Sequence, residues 1–140
     1  MTGAGAAVEG GCQCGAVRFR IALPPKWCAH CHCSMCRRAH GAGFVTWVGS
    51  ESDQFRLLSG TADLRRYQSS AQATRSFCGR CGTMLLFESA RWPGEIHVTL
   101  AHLDSAEGIT PQAHAYWSSR VPWVDLTGDD LPKVEPTGHA

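Results

Sequence analysis

Eight cysteines fall into three tight clusters: Cys12-Gln13-Cys14, the run from Cys28 to Cys36 (CAHCHCSMC), and Cys78-Gly79-Arg80-Cys81. Thiols one or two residues apart cannot all pair with one another as unstrained disulfides. They can converge on one small, soft cation, and Zn²⁺ takes four such ligands in a tetrahedron. The CxC and the distant CxxC together supply four sulfurs, from Cys12, Cys14, Cys78 and Cys81. Neither pair can build a closed site alone. Joined, they leave no open position, so the expected role is structural: a staple between an early strand and a hairpin in the second half of the chain. The bland alternative is a set of buried free thiols.

The middle cluster has different chemistry. Cys31, Cys33 and Cys36 form a CxCxxC at the start of an expected short helix, where a helix N-terminus favours the thiolate form. Three thiolates leave a fourth zinc position for water or an exogenous thiolate. Cys28 complicates the count. It is a fourth ligand that closes the site, or a buried apolar cysteine, or a resolving thiol; a three-cysteine site with Cys28 nearby is favoured. His30, His32 and His40 are further candidate ligands. His32 alternates with the cysteines and reads more readily as a donor behind them or a surface residue.

Short, turn-punctuated strands must position these clusters. Val17, Phe19 and Ile21 alternate with Arg18 and Arg20 directly after the CxC, as in a half-buried strand. Strands are expected over 43–48, 55–58, 64–67, 74–77, 84–87 and 96–100, with the CxxC on a knuckle between the fourth and fifth of these. One helix is expected, from an N-cap at Ser34 to a stop near Gly41. Pro111–Trp117 reads as a turn of helix or an extended segment. The fold class is therefore mainly β, in one small domain, which 140 residues can enclose around a modest core.

Composition excludes several functions. A net charge of +1 gives no electrostatic footprint for nucleic acid or an anionic membrane. No apolar run is long enough to span a bilayer. Residues 1–11 have neither a basic stretch nor a long apolar core, so a secretory signal is not expected. Cysteine-rich but unsecreted, the chain is expected in the cytoplasm with reduced thiols. There is no Ser-His-Asp pattern, phosphate loop or nucleotide motif.

The runs GGCQCGAVRF, CHCSMCRRAHGAGF, FCGRCGTML and HAYWSSRVPW resemble the glutathione-dependent formaldehyde-activating enzyme family, whose domain also occurs in centromere protein V. The resemblance spans residues 9–132, with 1–8 as a flexible lead-in and 133–140 as a tail. It implies twisted antiparallel sheets with zinc knuckles and one short helix. It implies two zinc ions per chain: a structural one on Cys12, Cys14, Cys78 and Cys81, and a catalytic one on Cys31, Cys33 and Cys36. The implied activity joins formaldehyde to glutathione to give S-hydroxymethylglutathione, a carbon–sulfur lyase reaction run in reverse. The implied partners are a small thiol and a small aldehyde.

Around that site, Arg37, Arg38 and Arg120 are candidate partners for glutathione's two carboxylates by bidentate geometry, against the bland reading of solvated surface arginines. Trp47, Trp117 and Trp123 read as core or pocket wall. His114 either lines the site or is structural, and His97, His102 and His139 belong to no constellation. Two rival functions stand beside the enzyme: a zinc-stabilised binding module without turnover, and thiol-based metal or redox sensing. The oligomeric state is left open.

Overall fold

A computed structural model describes residues 6–135; residues 1–5 and 136–140, most of the expected lead-in and tail, lie outside the described residues. The chain is mainly β. Strands β1 (Ala7–Gly11), β2 (Arg18–Ala22) and β5 (Phe55–Ser59) form a three-stranded sheet in the order β1-β2-β5. The other strands form an eight-stranded sheet in the order β11-β10-β3-β4-β9-β8-β7-β6. They are β3 (Trp27–Cys31), β4 (Val45–Glu51), β6 (Leu64–Gln68), β7 (Ala73–Cys78), β8 (Met84–Ser89), β9 (Glu95–Thr99), β10 (His114–Ala115) and β11 (Lys133–Val134). All pairings are antiparallel except at one edge, where β10 runs parallel to both β3 and β11.

Alternation in the strands creates two apolar clusters. Val8, Phe19 and Ile21 of the small sheet pack with Cys28, Val48, Leu86 and Val98 of the large sheet, so this cluster is the core between the sheets. The second cluster gathers Cys31, Val45, Trp47, Ala73 and Phe87 with Cys33 and Cys36. The helix α1 (Ser34–His40) contributes Cys36 to it, and its His40 ring meets Trp47 edge-on.

The helix begins one residue earlier than expected. Its N-cap is Cys33, whose Sγ accepts a hydrogen bond from the Cys36 backbone N–H, the role expected for the Ser34 hydroxyl. It stops at Gly41, which takes the left-handed backbone (φ 59°) of a C-cap. Three strands, β1, β3 and β11, were not anticipated. Ala7 and Val8, placed in the lead-in by sequence, begin β1 and pair with Ala22 and Ile21. The middle cysteine cluster itself begins in β3. Pro111–Trp117 resolves to extended chain through β10, then a short 3-10 turn over Trp117–Ser119. Lys133 and Val134, placed in the tail, pair with His114 and Ala115.

Candidate metal centres and an aromatic cavity

The first cysteine group sits where the two sheets meet. Cys12 and Cys14 occupy the turn between β1 and β2; Cys78 ends β7, and Cys81 lies in the turn to β8. The four sulfurs all lie within 4.8 Å of one another. Cys12 Sγ is 3.6 Å from Cys14 Sγ, which is 3.8 Å from Cys78 Sγ. Tetrahedral ligation at about 2.3 Å separates sulfurs by about 3.8 Å, so this donor set fits zinc, and the spacing rules out disulfides. Backbone N–H groups of Val17 and Arg80 donate to Cys12 and Cys78 Sγ at 3.3 and 3.4 Å, the support expected behind metal thiolates. The Thr83 hydroxyl, 3.2 Å from Cys81 Sγ, pulls that thiol down to about 5.

The second group is Cys31, Cys33 and Cys36, whose sulfurs also lie within 4.8 Å of one another. Cys31 closes β3, Cys33 caps α1, and Cys36 lies in its first turn; all three are buried. Cys31 and Cys36 Sγ are 3.6 Å apart, again the spacing of ligands on one ion. Hydrogen bonding with Cys31 and Cys33, then the charge of Arg75, holds Cys36 well below the ordinary thiol range.

Cys28 does not join this group. Residues three apart on a strand point to opposite faces. Cys31 therefore enters the second cluster, while Cys28 enters the core between the sheets. Burial there pushes the Cys28 thiol up to about 11, which keeps it a neutral, apolar thiol.

Arg75, on β7, was not singled out in the sequence. Only 2% of it is exposed, its Nη2 lies 3.5 Å from Cys36 Sγ, and its guanidinium covers the Phe87 ring at 4.8 Å. The signal available was an arginine in the apolar alternation just before the CxxC. Of the three arginines that were singled out, Arg37 bonds the His32 carbonyl and Arg120 stacks on Trp117 at 4.5 Å. None of Arg37, Arg38 and Arg120 is among the residues lining the cavity described next.

Cys31 and Cys36 form part of the wall of a cavity of about 230 Å³. The rest is Trp27, Ala29, Trp47, Phe87, Trp92, His97, Ala115 and Tyr116. Alternation on β3 turns Trp27, Ala29 and Cys31 to this side together. Trp27 lies across Gly49, its register partner; a Cβ there would stand 2.1 Å from the indole. Tyr116 takes an uncommon left-handed backbone for an aromatic residue (φ 55°). Its neighbour Trp117 packs elsewhere, against His32 and His114. His97 donates from Nε2 to Glu95 Oε1 at 2.9 Å, which engages that ring nitrogen. Of the tryptophans expected as core or pocket wall, Trp47 does both, whereas Trp123 is largely exposed.

His114 is structural in its contacts. It is fully buried, with Nε2 2.6 Å from Asp129 Oδ2 and Nδ1 2.8 Å from His32 Nε2. The Asp129 carboxylate accepts from His114 Nε2–H, which leaves Nδ1 to accept from His32 Nε2–H. The chain Asp129–His114–His32 ties the loop before β11 to the residue between Cys31 and Cys33. His30, instead of joining the cysteines, lies 2.8 Å from the Thr46 hydroxyl.

A family model described as glutathione-dependent formaldehyde-activating enzyme matches residues 7–119. A Halomonas elongata protein named "Putative glutathione-dependent formaldehyde-activating enzyme" is 32% identical over 127 residues, 85% of this chain and 80% of that one. An uncharacterized lyase of Schizosaccharomyces pombe is 30% identical over 79 residues, 56% of each chain. The crystal structure of a Rhodobacter sphaeroides protein superposes with a TM-score of 0.62 at 26% identity, covering 90% of this chain and 99% of that one. Among the described residues, no helix is long and apolar enough to cross a membrane.

Proposed function

Since the chain belongs to the glutathione-dependent formaldehyde-activating enzyme family, we propose that it adds a small thiol, such as glutathione, to formaldehyde or a related small aldehyde. The reaction class is carbon–sulfur lyase run toward synthesis. The observation behind this reading is the open three-cysteine group: Cys31, Cys33 and Cys36 converge, Cys28 faces away, and two of the three sulfurs border a cavity. Zinc bound there would acidify a thiol in its fourth position and hold it as the thiolate.

The protein's own side chains set that up. Cys33 fixes the helix start and so the spacing of the three sulfurs. Arg75 offsets the charge that gathers on Cys36. The cavity would place the aldehyde beside the thiol, a gain in proximity rather than new chemistry. Arg37, Arg38 and Arg120 are proposed to meet the thiol's carboxylates from outside the cavity. Cys12, Cys14, Cys78 and Cys81 would hold a second, structural zinc, and the domain would work in the cytoplasm, where its thiols stay reduced.

Two measurements test the reading together. Protein purified without added metal should contain close to two zinc ions per chain. In the cobalt-substituted protein, glutathione should change the charge-transfer bands of one ion only, and equally in Cys28→Ser. A glutathione response that appears only in Cys28→Ser would mean that Cys28 closes the site, and the binding-module function would replace the enzyme.

A further inference from the structure

We infer that the carbonyl reactant at this site is an aldehyde bearing one aromatic ring or a branched alkyl group, seated in the aromatic cavity against Cys31 and Cys36. This rests on the proposed function and narrows its substrate class. Formaldehyde has a single carbon and no apolar substituent. The cavity measures about 230 Å³, and an apolar cavity of about 150 Å³ already accommodates a benzene ring. Its walls are the rings of Trp27, Trp47, Phe87, Trp92, His97 and Tyr116, and such walls gain from burying apolar surface and edge-to-face ring contacts.

The lining is also poor in hydrogen-bonding side chains, and two of its rings are already engaged by cations. His97 spends its Nε2 proton on Glu95. Phe87 and Trp92 already carry the Arg75 and Arg91 guanidiniums, at 4.8 and 5.7 Å from their ring centroids. Those rings have a cation partner, so a second cation gains little there. The three arginines proposed for the thiol's carboxylates lie outside the lining. The two reactants are thus separated by chemistry: the charged thiol outside, the apolar aldehyde inside. The reaction balances without a redox partner. The thiol sulfur forms a bond to the carbonyl carbon, the C=O π bond opens, and the thiol's proton ends on the new hydroxyl: R–SH + R′–CHO → R–S–CH(OH)–R′.

The test has a binding arm and a turnover arm on the zinc-loaded protein. Trp27, Trp47 and Trp92 report occupancy by their fluorescence. The unreactive probe 2-phenylethanol should change their emission saturably, whereas glycerol and tetramethylammonium should not. Ala29→Phe fills the cavity from β3 and should abolish the response with metal content unchanged. Trp27→Ala, which removes a wall instead of adding volume, should weaken it about tenfold. In turnover with glutathione, kcat/KM for phenylacetaldehyde should exceed that for formaldehyde by at least about tenfold, the range that differential filling of an apolar pocket supports. Formaldehyde turnover without 2-phenylethanol binding, a preference for tetramethylammonium, or no preference for phenylacetaldehyde would overturn the inference and leave the proposed function standing. Failure to turn over any aldehyde, with the probe still binding, would instead overturn the proposed function, and the substrate inference with it.

Discussion

An arginine buried against a cysteine sulfur has an electrostatic reason to be there. Arg75 has lost nearly all contact with water, and burying an unpaired guanidinium costs several kcal/mol. The anion near it is the cluster of Cys31, Cys33 and Cys36, reached through Cys36 Sγ at 3.5 Å. Three thiolates on a divalent ion have a net negative charge, so cation and site stabilise each other. Arg75→Met keeps the apolar stem over Phe87 and removes the charge. It should weaken metal binding at the second site about 10- to 100-fold, the usual effect of losing a group behind the ligands. The first site should keep its affinity and the protein should still fold. Stepwise chelator competition would read the two sites separately, and an unchanged second affinity would show that Arg75 is only packing.

Elements explain why part of the site was legible and part was not. Asp129 and His114 join the parallel edge to the cysteine-bearing loop, and their bond predicts a pH signature. The Leu131 backbone N–H, then His114, hold the Asp129 carboxyl below the ordinary aspartate range. A carboxyl depressed in the folded state contributes stability that is present above its unfolded value of about 3.9 and is lost as pH falls through the lower folded value. Asp129→Asn should therefore melt earlier than the unaltered protein at neutral pH, with the two curves converging as pH drops below about 4. A gap independent of pH would assign the loss to packing. Local signals were enough for the cysteine spacings, the Val17-Phe19-Ile21 alternation and the stop at Gly41. They were not enough for β3, where Trp27–Cys31 mixes a tryptophan, cysteines and a histidine with no clean period. Missing that strand left Cys28 ambiguous, because only strand geometry turns positions 28 and 31 to opposite faces. Arg75 and four of the cavity rings come from β3, β4, β7, β8 and β9, while Trp92 lies between β8 and β9 and Tyr116 directly follows β10; they meet through the tertiary fold, which no short run of sequence encodes.

At the scale of the whole molecule, the two cysteine groups do different mechanical work. Cys12 and Cys14 stand at the turn of the small sheet and Cys78 and Cys81 at a turn of the large one, so a metal there would tie two layers that otherwise meet through their apolar core and a few polar contacts such as the Arg18–Asp104 ion pair. The second group joins β3 to the helix that directly follows it, and its ligands span only the short stretch from Cys31 to Cys36. A cross-link between distant segments constrains the unfolded chain far more than one between near neighbours, and a metal that binds only the folded state adds its binding free energy to folding. Cys78→Ser should lower the melting temperature by about 10 °C or more, the shift that some 3–5 kcal/mol produces in a chain of this size. Cys31→Ser should lower it by less than half as much. Chelation of the unaltered protein should follow the same order. A mild chelator should take the ion beside the cavity first, where one coordination position is open, and leave the melt nearly unchanged. A strong chelator should then remove the second ion together with the folded structure. If Cys31→Ser proved the more damaging substitution, or if the first ion removed carried the fold with it, the structural and catalytic roles proposed for the two centres would have to be exchanged.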